Sequence, residues 1–302
     1  MSVARPEIAA PGEVAAARFS PRTIIEWIGS LPLHVAIIGL TVAWIAPTLG
    51  LFVSSFRPLS AFSTSGWWTA LSPPFNFTLD NYQHILATSN LGTSFFNSFM
   101  ISIPATVIPT TVAAFAAYAF SWMRFWGRDW IFLALVGLLA VPLQVTFIPI
   151  LSLFISLGLN GTFLGVWLAH TGYGLPFAIY LLANFFRALP ADLFESAEID
   201  GAGMLTVFFR IVLPLSVPAI ASLVIFQFLW VWNDLLVALV YLGGTPPVAP
   251  LTVTLANLVG SLGQGLQYLT AAAFISMIVP LVVFFSLQRY FVRGILAGSV
   301  KG

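Results

Sequence analysis

Leu189 to Pro218 reads LPADLFESAEIDGAGMLTVFFRIVLPLSVP, a polar island between two long apolar blocks. Asp192, Glu195, Glu198 and Asp200 place four of the chain's ten carboxylates within nine positions. A charge at the centre of a bilayer helix costs about 2.5–3.5 kcal/mol even on a lenient insertion scale. Four together must lie outside the hydrocarbon. Leu193, Phe194, Ala197, Met204, Leu205, Phe208 and Ile211 recur in steps of one, three, four and seven, the stripe of an amphipathic helix. Pro190 suits a first helical turn, and the acids after it complement the helix's positive end. Gly201 and Gly203 each weaken a helix by about 1 kcal/mol relative to Ala. The spacing therefore predicts two short helices joined at a Gly-Ala-Gly bend, apolar on one side and acidic on the other. Pro214 and Pro218 mark the return into the membrane. Such an element suits a membrane protein that hands force to a soluble partner.

The rest of the chain agrees. Of 302 residues, 59% are hydrophobic and 7% charged, whereas soluble domains carry about a quarter charged residues. Several apolar runs exceed the roughly 20 helical residues that cross a hydrocarbon core of about 30 Å. The predicted class is all-α, a polytopic membrane protein with six spans: Leu31 to Phe56, Phe95 to Phe120, Trp130 to Ile155, Phe163 to Phe186, Leu215 to Leu242, and Ala271 to Tyr290. Residues 1–30 are read as a cytoplasmic tail with a short interfacial helix around Thr23 to Trp27. That tail has no early apolar core of a cleavable signal, so the first span is expected to stay as an anchor.

Charge orients the bundle. With the N-terminus inside, ten of the eleven basic residues face the cytoplasm and only Arg57 lies outside, a strong positive-inside bias. Both termini are then cytoplasmic, and so is the loop 189–214 between spans four and five. Two outer loops are long. Arg57 to Ser94 carries Trp67, Trp68, Phe75, Phe77 and Tyr82, which suit an interfacial cap or a docking surface. Gly243 to Thr270 holds an apolar piece, Leu251 to Leu262, too short to span; it either faces a partner or re-enters the membrane. Pro104, Pro109, Pro142, Pro149, Pro176 and Pro280 interrupt spans, and neighbours must compensate the lost hydrogen bonds.

Ionisable residues inside spans are site candidates by default. Asp234 lies about eight residues below the outer end of span five, and His170 about seven below that of span four, both roughly 10–12 Å deep at 1.5 Å per residue. They could share a polar pocket with Tyr173, Gln227, Trp230 and Asn233. Carboxylate, amide and indole hold sugars through paired hydroxyl contacts and a flat apolar face. The competing reading is structural: Asn233-Asp234 caps a helix break, and His170 satisfies a helix–helix contact.

No nucleophile–base pair or metal cluster is apparent, and there is no Gly-x-x-x-x-Gly-Lys-Ser/Thr phosphate loop. The expectation is a non-catalytic chain that binds no cofactor, with ATP and Mg on separate subunits. An ion-coupled carrier is the rival. It would place several carboxylates or histidines at mid-membrane, where this chain has few. A net charge of +1 argues against nucleic acid, and zero cysteines remove disulfides and thiolate chemistry.

Glu195-Ser196-Ala197, three residues, Gly201, nine residues, then Ile211-x-Leu213-Pro214 resembles the cytoplasmic coupling loop of ATP-binding-cassette importer permeases, with Ser196 where Ala is usual. Ile199-Asp200-Gly201-Ala202 is the form found in sugar importers of the maltose-permease type. Thr78-Leu79-Asp80-Asn81-Tyr82, Asn97-Ser98-Phe99, Gly174-Leu175-Pro176-Phe177, Trp230-Val231-Trp232-Asn233-Asp234 and the ending Arg293 to Gly302 are similar to that family too, so the resemblance covers about Leu31 to Gly302. It implies the second of two different permease subunits, an ATPase dimer, an external sugar-binding protein and a carbohydrate substrate. Within the family the chain looks most like alpha-glucoside and glucosylglycerol permeases. It also implies that Glu195, Ala197, Asp200, Gly201, Ala202, Phe208 and Pro214 belong to the ATPase-coupling element, and that the tail 293–302, through Gly298, Ser299, Val300 and Lys301, reaches the ATPase.

Overall fold

Helix-compatible apolar runs broken by Pro and Gly give helices and turns, and every regular element among the described residues is helical. The computed structural model describes residues 21–88, 90–259 and 265–299. The chain divides into two compact units, Met1–Leu51 and Phe52–Gly302. The first holds the greater part of α1 (Pro21–Ser55). Leu33, Val35, Ile37, Leu40, Val42 and Trp44 clothe this helix on all sides, as expected of a membrane span. The expectations for Met1 to Ser20 lie outside the described residues. Pro21 to Ser30 are the start of α1 rather than a separate tail or a short helix of their own.

In the second unit α2 (Asp80–Thr88) lies in the loop after α1 and leads to α3 (Leu91–Trp122). Next come α4 (Arg128–Gly137), α5 (Phe147–Ser156), α6 (Phe163–Arg187), α7 (Ala191–Ile199) and α8 (Met204–Val207). The chain ends with α9 (Val217–Trp232), α10 (Leu236–Leu242), α11 (Leu251–Ala256) and α12 (Leu266–Ser299). Among the described residues four helices are long and apolar enough to cross a membrane, or up to six spans if each of two bent pairs counts as one.

The bends correct the sequence reading. Span three is no straight rod: its two halves meet at 98°, because Pro142 has no N–H to donate and Val141 before it is extended, with ψ 117. Span five bends by 74° at its start, around Ser216, and breaks again over Asn233 to Leu235, between α9 and α10. Pro104, Pro109, Pro176 and Pro280, by contrast, sit inside continuous helices. The last helix runs on to Ser299, so most of the expected tail 293–302 continues span six. Val300, Lys301 and Gly302 lie outside the described residues.

α3 and α6 form the spine. Ala105, Ala113, Ala114 and Ala117 of α3 and Ala169, Ala178 and Ala183 of α6 are buried; small side chains let two membrane helices approach closely. Near the start of α3, Asn97 donates to the carbonyls of Pro247 (3.0 Å) and Ala249 (3.1 Å), and Ser98 Oγ accepts the Leu251 N–H at 2.8 Å. These bonds strap the loop after α10 to α3. Arg57, the lone basic residue expected outside, is buried and donates to the carbonyls of Ala61 (2.7 Å) and Ser65 (2.9 Å). It closes its own loop.

Candidate functional site

At one end of the bundle α7 and α8 make an elbow. α7 ends in a Schellman cap: Gly201 N–H donates to the Glu198 carbonyl (3.0 Å) and Ala202 N–H to the Ala197 carbonyl (2.9 Å). That geometry puts the residue after the cap in the left-handed region, and Gly201 has φ +71. A side chain there costs about 1–2 kcal/mol. Asp192, Glu195, Glu198 and Asp200 are all exposed, and so is Ile199. Pro190 does not open the helix as its first residue; it precedes it in extended conformation, with ψ 129.

The elbow is seated on α3 by aromatic residues. Phe194 stacks on Trp122 at 3.5 Å between centroids, tilted by 16°. The Trp122 indole N–H donates to the Phe186 carbonyl at 3.0 Å. Tyr118 donates its hydroxyl to the Met204 carbonyl at 3.2 Å. Phe208 is buried between Phe115 (4.7 Å) and Tyr118 (5.3 Å). Ala197 and Val207 complete the buried face, while Leu193, Met204 and Leu205 are left exposed. The predicted apolar stripe is therefore divided. Part of it anchors the elbow and part, beside the four acids, presents an open surface. Phe208 is an anchor, Ala197 faces the bundle, and Glu195, Asp200, Gly201 and Pro214 are exposed.

Near the other end, the six residues expected to share one polar pocket are split: two line one cavity, three another, and Asn233 neither. His170 is fully buried, with Nε2 3.8 Å from Asp234 Oδ2, beyond hydrogen-bonding distance. Asp234 caps α10: its carboxylate accepts the N–H groups of Val237 (3.2 Å) and Ala238 (3.0 Å), and its carbonyl accepts the Thr252 hydroxyl (2.6 Å). The cavity between His170, Asp234, Ser98 and Ser102 is about 10 Å³, too small for anything beyond a single water. Tyr173, Gln227 and Trp230 instead line an open depression of about 290 Å³ with Gly174, Phe177 and Phe226. Asn233 lines neither; it is exposed and bonds to the Leu229 carbonyl at 2.7 Å.

Within the depression the polar tips point inward. The Tyr173 hydroxyl is shared with Thr146 and Tyr241, each at 2.8 Å, and the Gln227 amide donates to the Ala105 carbonyl at 3.1 Å. A Cβ on Gly174 would come within 2.6 Å of Gln227 Nε2, so a side chain there would push the Gln227 amide from its place. What faces outward is mostly aromatic surface, from Phe177, Phe226 and Trp230.

Residues 109–297 match a family described as the binding-protein-dependent transport system inner membrane component. This chain belongs to that family. It is 60% identical over 279 residues to the osmoprotective compounds uptake permease protein GgtD of Synechocystis, covering 91% of this chain and 94% of that one. With the alpha-glucoside transport system permease protein AglG of Rhizobium meliloti it shares 54% identity over 241 residues, 78% of this chain and 63% of the relative. A chain of a bacterial ABC transporter involved in the import of the acidic polysaccharide alginate superposes with a TM-score of 0.72 at 21% identity, over 91% of this chain and all of that one, a likeness of fold. This permease is thus a multi-pass protein of the inner membrane.

Sequence reasoning missed the permease's elbow seat, Phe115, Tyr118 and Trp122. They end an apolar run where aromatic residues read as a membrane-interface belt. The only available signal was that Tyr118 and Trp122 are one turn apart and share a helix face. Gly298 and Ser299 fall in α12, and Val300 and Lys301 lie outside the described residues.

Proposed function

We propose that this permease is the second of two different membrane subunits in an ATP-binding-cassette importer for a small neutral carbohydrate. The relatives' names speak of osmoprotective compounds and alpha-glucosides, and trehalose and glucosylglycerol, both alpha-glucosides, are our candidates within that class. The observation that carries this reading is the elbow: four exposed carboxylates beside exposed Ile199, on a helix stacked against the spine of the bundle. Such a surface has no use to a solitary carrier. It suits a cleft on a soluble ATPase, with both permease termini on the same cytoplasmic side and ATP and Mg held by the ATPase dimer.

Closure of that dimer would push α7 and α8. The push passes through Phe194 to Trp122 and through Phe208 to Phe115 and Tyr118, so α3 moves with the elbow. Sugar, delivered by an external binding protein, would then pass the depression of Tyr173, Gln227 and Trp230. Its volume of about 290 Å³ lies at the lower limit of small-molecule sites, about 300 Å³, as expected of half a path completed by the sister subunit. Aromatic faces offer sugars a flat apolar surface without tight polar grip, which suits passage. In this reading His170 and Asp234 stand behind the path and hold its outer half-helix in place. The C-terminal residues Gly298 to Lys301 remain the proposed second contact with the ATPase.

Uptake by the reconstituted four-subunit assembly tests the reading. Transport of labelled trehalose or glucosylglycerol should need ATP inside the vesicle, survive collapse of ion gradients, and be competed by other small glucosides. Uptake that stops with the gradient and ignores ATP would establish the ion-coupled alternative.

A further inference from the structure

The α3–α4 turn lies beside the elbow but takes no part in it. Arg124, Phe125, Gly127, Arg128, Asp129 and Trp130 enclose a cleft of about 370 Å³. Among the described residues Arg124 has no hydrogen-bond or ion-pair partner. Arg128 spends only its Nε on Asp129 Oδ1, at 3.0 Å, and makes a long 3.4 Å contact from Nη1 to the Met123 carbonyl. Asp129 is 82% exposed, so it offsets one of the two guanidinium charges and the cleft stays positive. A third guanidinium, Arg187 at the end of α6, lies over the Phe132 ring of α4 at 4.3 Å. Trp126 is 96% exposed and Trp130 78% exposed.

Two bare indoles and unspent guanidinium groups occur together where apolar helices end. Exposed tryptophans at such a level sit among lipid headgroups. A planar guanidinium matches a phosphate through two parallel hydrogen bonds, and basic pockets between membrane helices on the cytoplasmic side take anionic headgroups. We propose that this cleft binds the phosphate of an anionic phospholipid, of the phosphatidylglycerol or cardiolipin kind, with Arg124 and Arg128 on the phosphate and Trp126 and Trp130 at the glycerol level. Assignment to the cytoplasmic leaflet rests on the orientation proposed above; the headgroup chemistry does not. The bound lipid would brace the turn that leads out of Trp122, on which the elbow sits.

Native mass spectrometry of the purified four-subunit assembly, titrated with phosphatidylglycerol or phosphatidylcholine, tests the site. The wild-type assembly should retain phosphatidylglycerol over phosphatidylcholine. Arg124→Gln and Arg128→Gln should each weaken retention roughly fivefold, given about 1 kcal/mol per basic residue near a charged membrane surface. Arg124→Lys should restore part of the loss. Equal retention by the double Gln variant would overturn the site. Displacement of the lipid by millimolar inorganic phosphate would make it a free-anion site instead. Loss of the ATPase from the double variant would mean that the arginines touch protein rather than lipid. Sugar uptake is measured separately: its failure with phosphatidylglycerol still retained would count against the transport reading and leave the lipid site standing.

Discussion

The elbow and the break of span five after Trp232 are both polar interruptions of apolar helices, yet they dispose of their carboxylates in opposite ways. At the elbow, Asp192, Glu195, Glu198 and Asp200 all face outward and the aromatic residues face in. At the break, Asp234 turns inward onto two backbone N–H groups of α10, and the aromatic residues of the neighbouring depression face out. Unspent charge at a surface is free to meet another molecule, as proposed for the elbow. A charge spent on a helix cap marks a place where the fold is being held. Sequence alone shows both as acids near glycine, proline or asparagine; only the partners separate them.

That contrast can be broken at either end. The largest effect should come from Ala197→Trp. Ala197 is buried where α7 meets the bundle, and an indole there would lift the elbow from α3. ATP-driven uptake should fall at least a hundredfold in proteoliposomes, with membrane insertion unchanged. Trp122→Ala comes next. Trp122 is half-buried, so its loss costs less than the about 3–5 kcal/mol of a fully buried aromatic; because the loss is of the seat, hydrolysis should persist while uptake drops tenfold or more. Trp122→Phe keeps the ring and loses one hydrogen bond, about 1 kcal/mol, and should recover most transport.

Asp234 sharpens the comparison at the other end. Asp234→Ala removes a cap worth about 1 kcal/mol and should lower thermal stability of the assembly and uptake together. Asp234→Asn keeps a capping oxygen and should transport within a few-fold of wild type. If Asn were as damaging as Ala while stability stayed intact, the carboxylate would be touching sugar. Gly201→Ala should cost about 1–2 kcal/mol of elbow stability, visible as faster protease nicking between α7 and α8. Asn233→Ala should do least. Its amide reaches only its own helix, and exposed changes of this kind stay within about 0.5 kcal/mol.

Much of this was legible in the chain. The apolar blocks, the acidic island and the Gly-Ala-Gly bend follow from transfer energies and helix propensity, which act locally. Short runs shared with the sugar permeases also acquire physical reasons. Asn97 and Ser98 pin the second outer loop, while Asn81 reaches the carbonyls of Ser55 and Arg57, each at 2.9 Å, to pin the first. Matched depth correctly brought His170 towards Asp234. It could not reveal that Asp234 was already occupied, because a cap is set by the backbone path after Asn233. Nor could helical periodicity show the 98° turn at Pro142, since proline elsewhere in the same bundle leaves helices unbroken. Trp122 was invisible for a similar reason: its partner, Phe194, is seventy-two positions away, and no local pattern links them.

The absence of cysteine in the chain permits a clean experiment on the central point, that a separate motor grips the elbow. Ile199 is 86% exposed on the outward face of α7, so Ile199→Cys can be cross-linked in the assembled transporter without disturbing its seat. Cross-linking should trap the ATPase subunit in high yield, in a way that changes when ATP is added, and the residue should stay closed to membrane-impermeant thiol reagents applied from outside the cell. Labelling from outside, with no ATPase trapped, would contradict both the docking role and the orientation of the bundle.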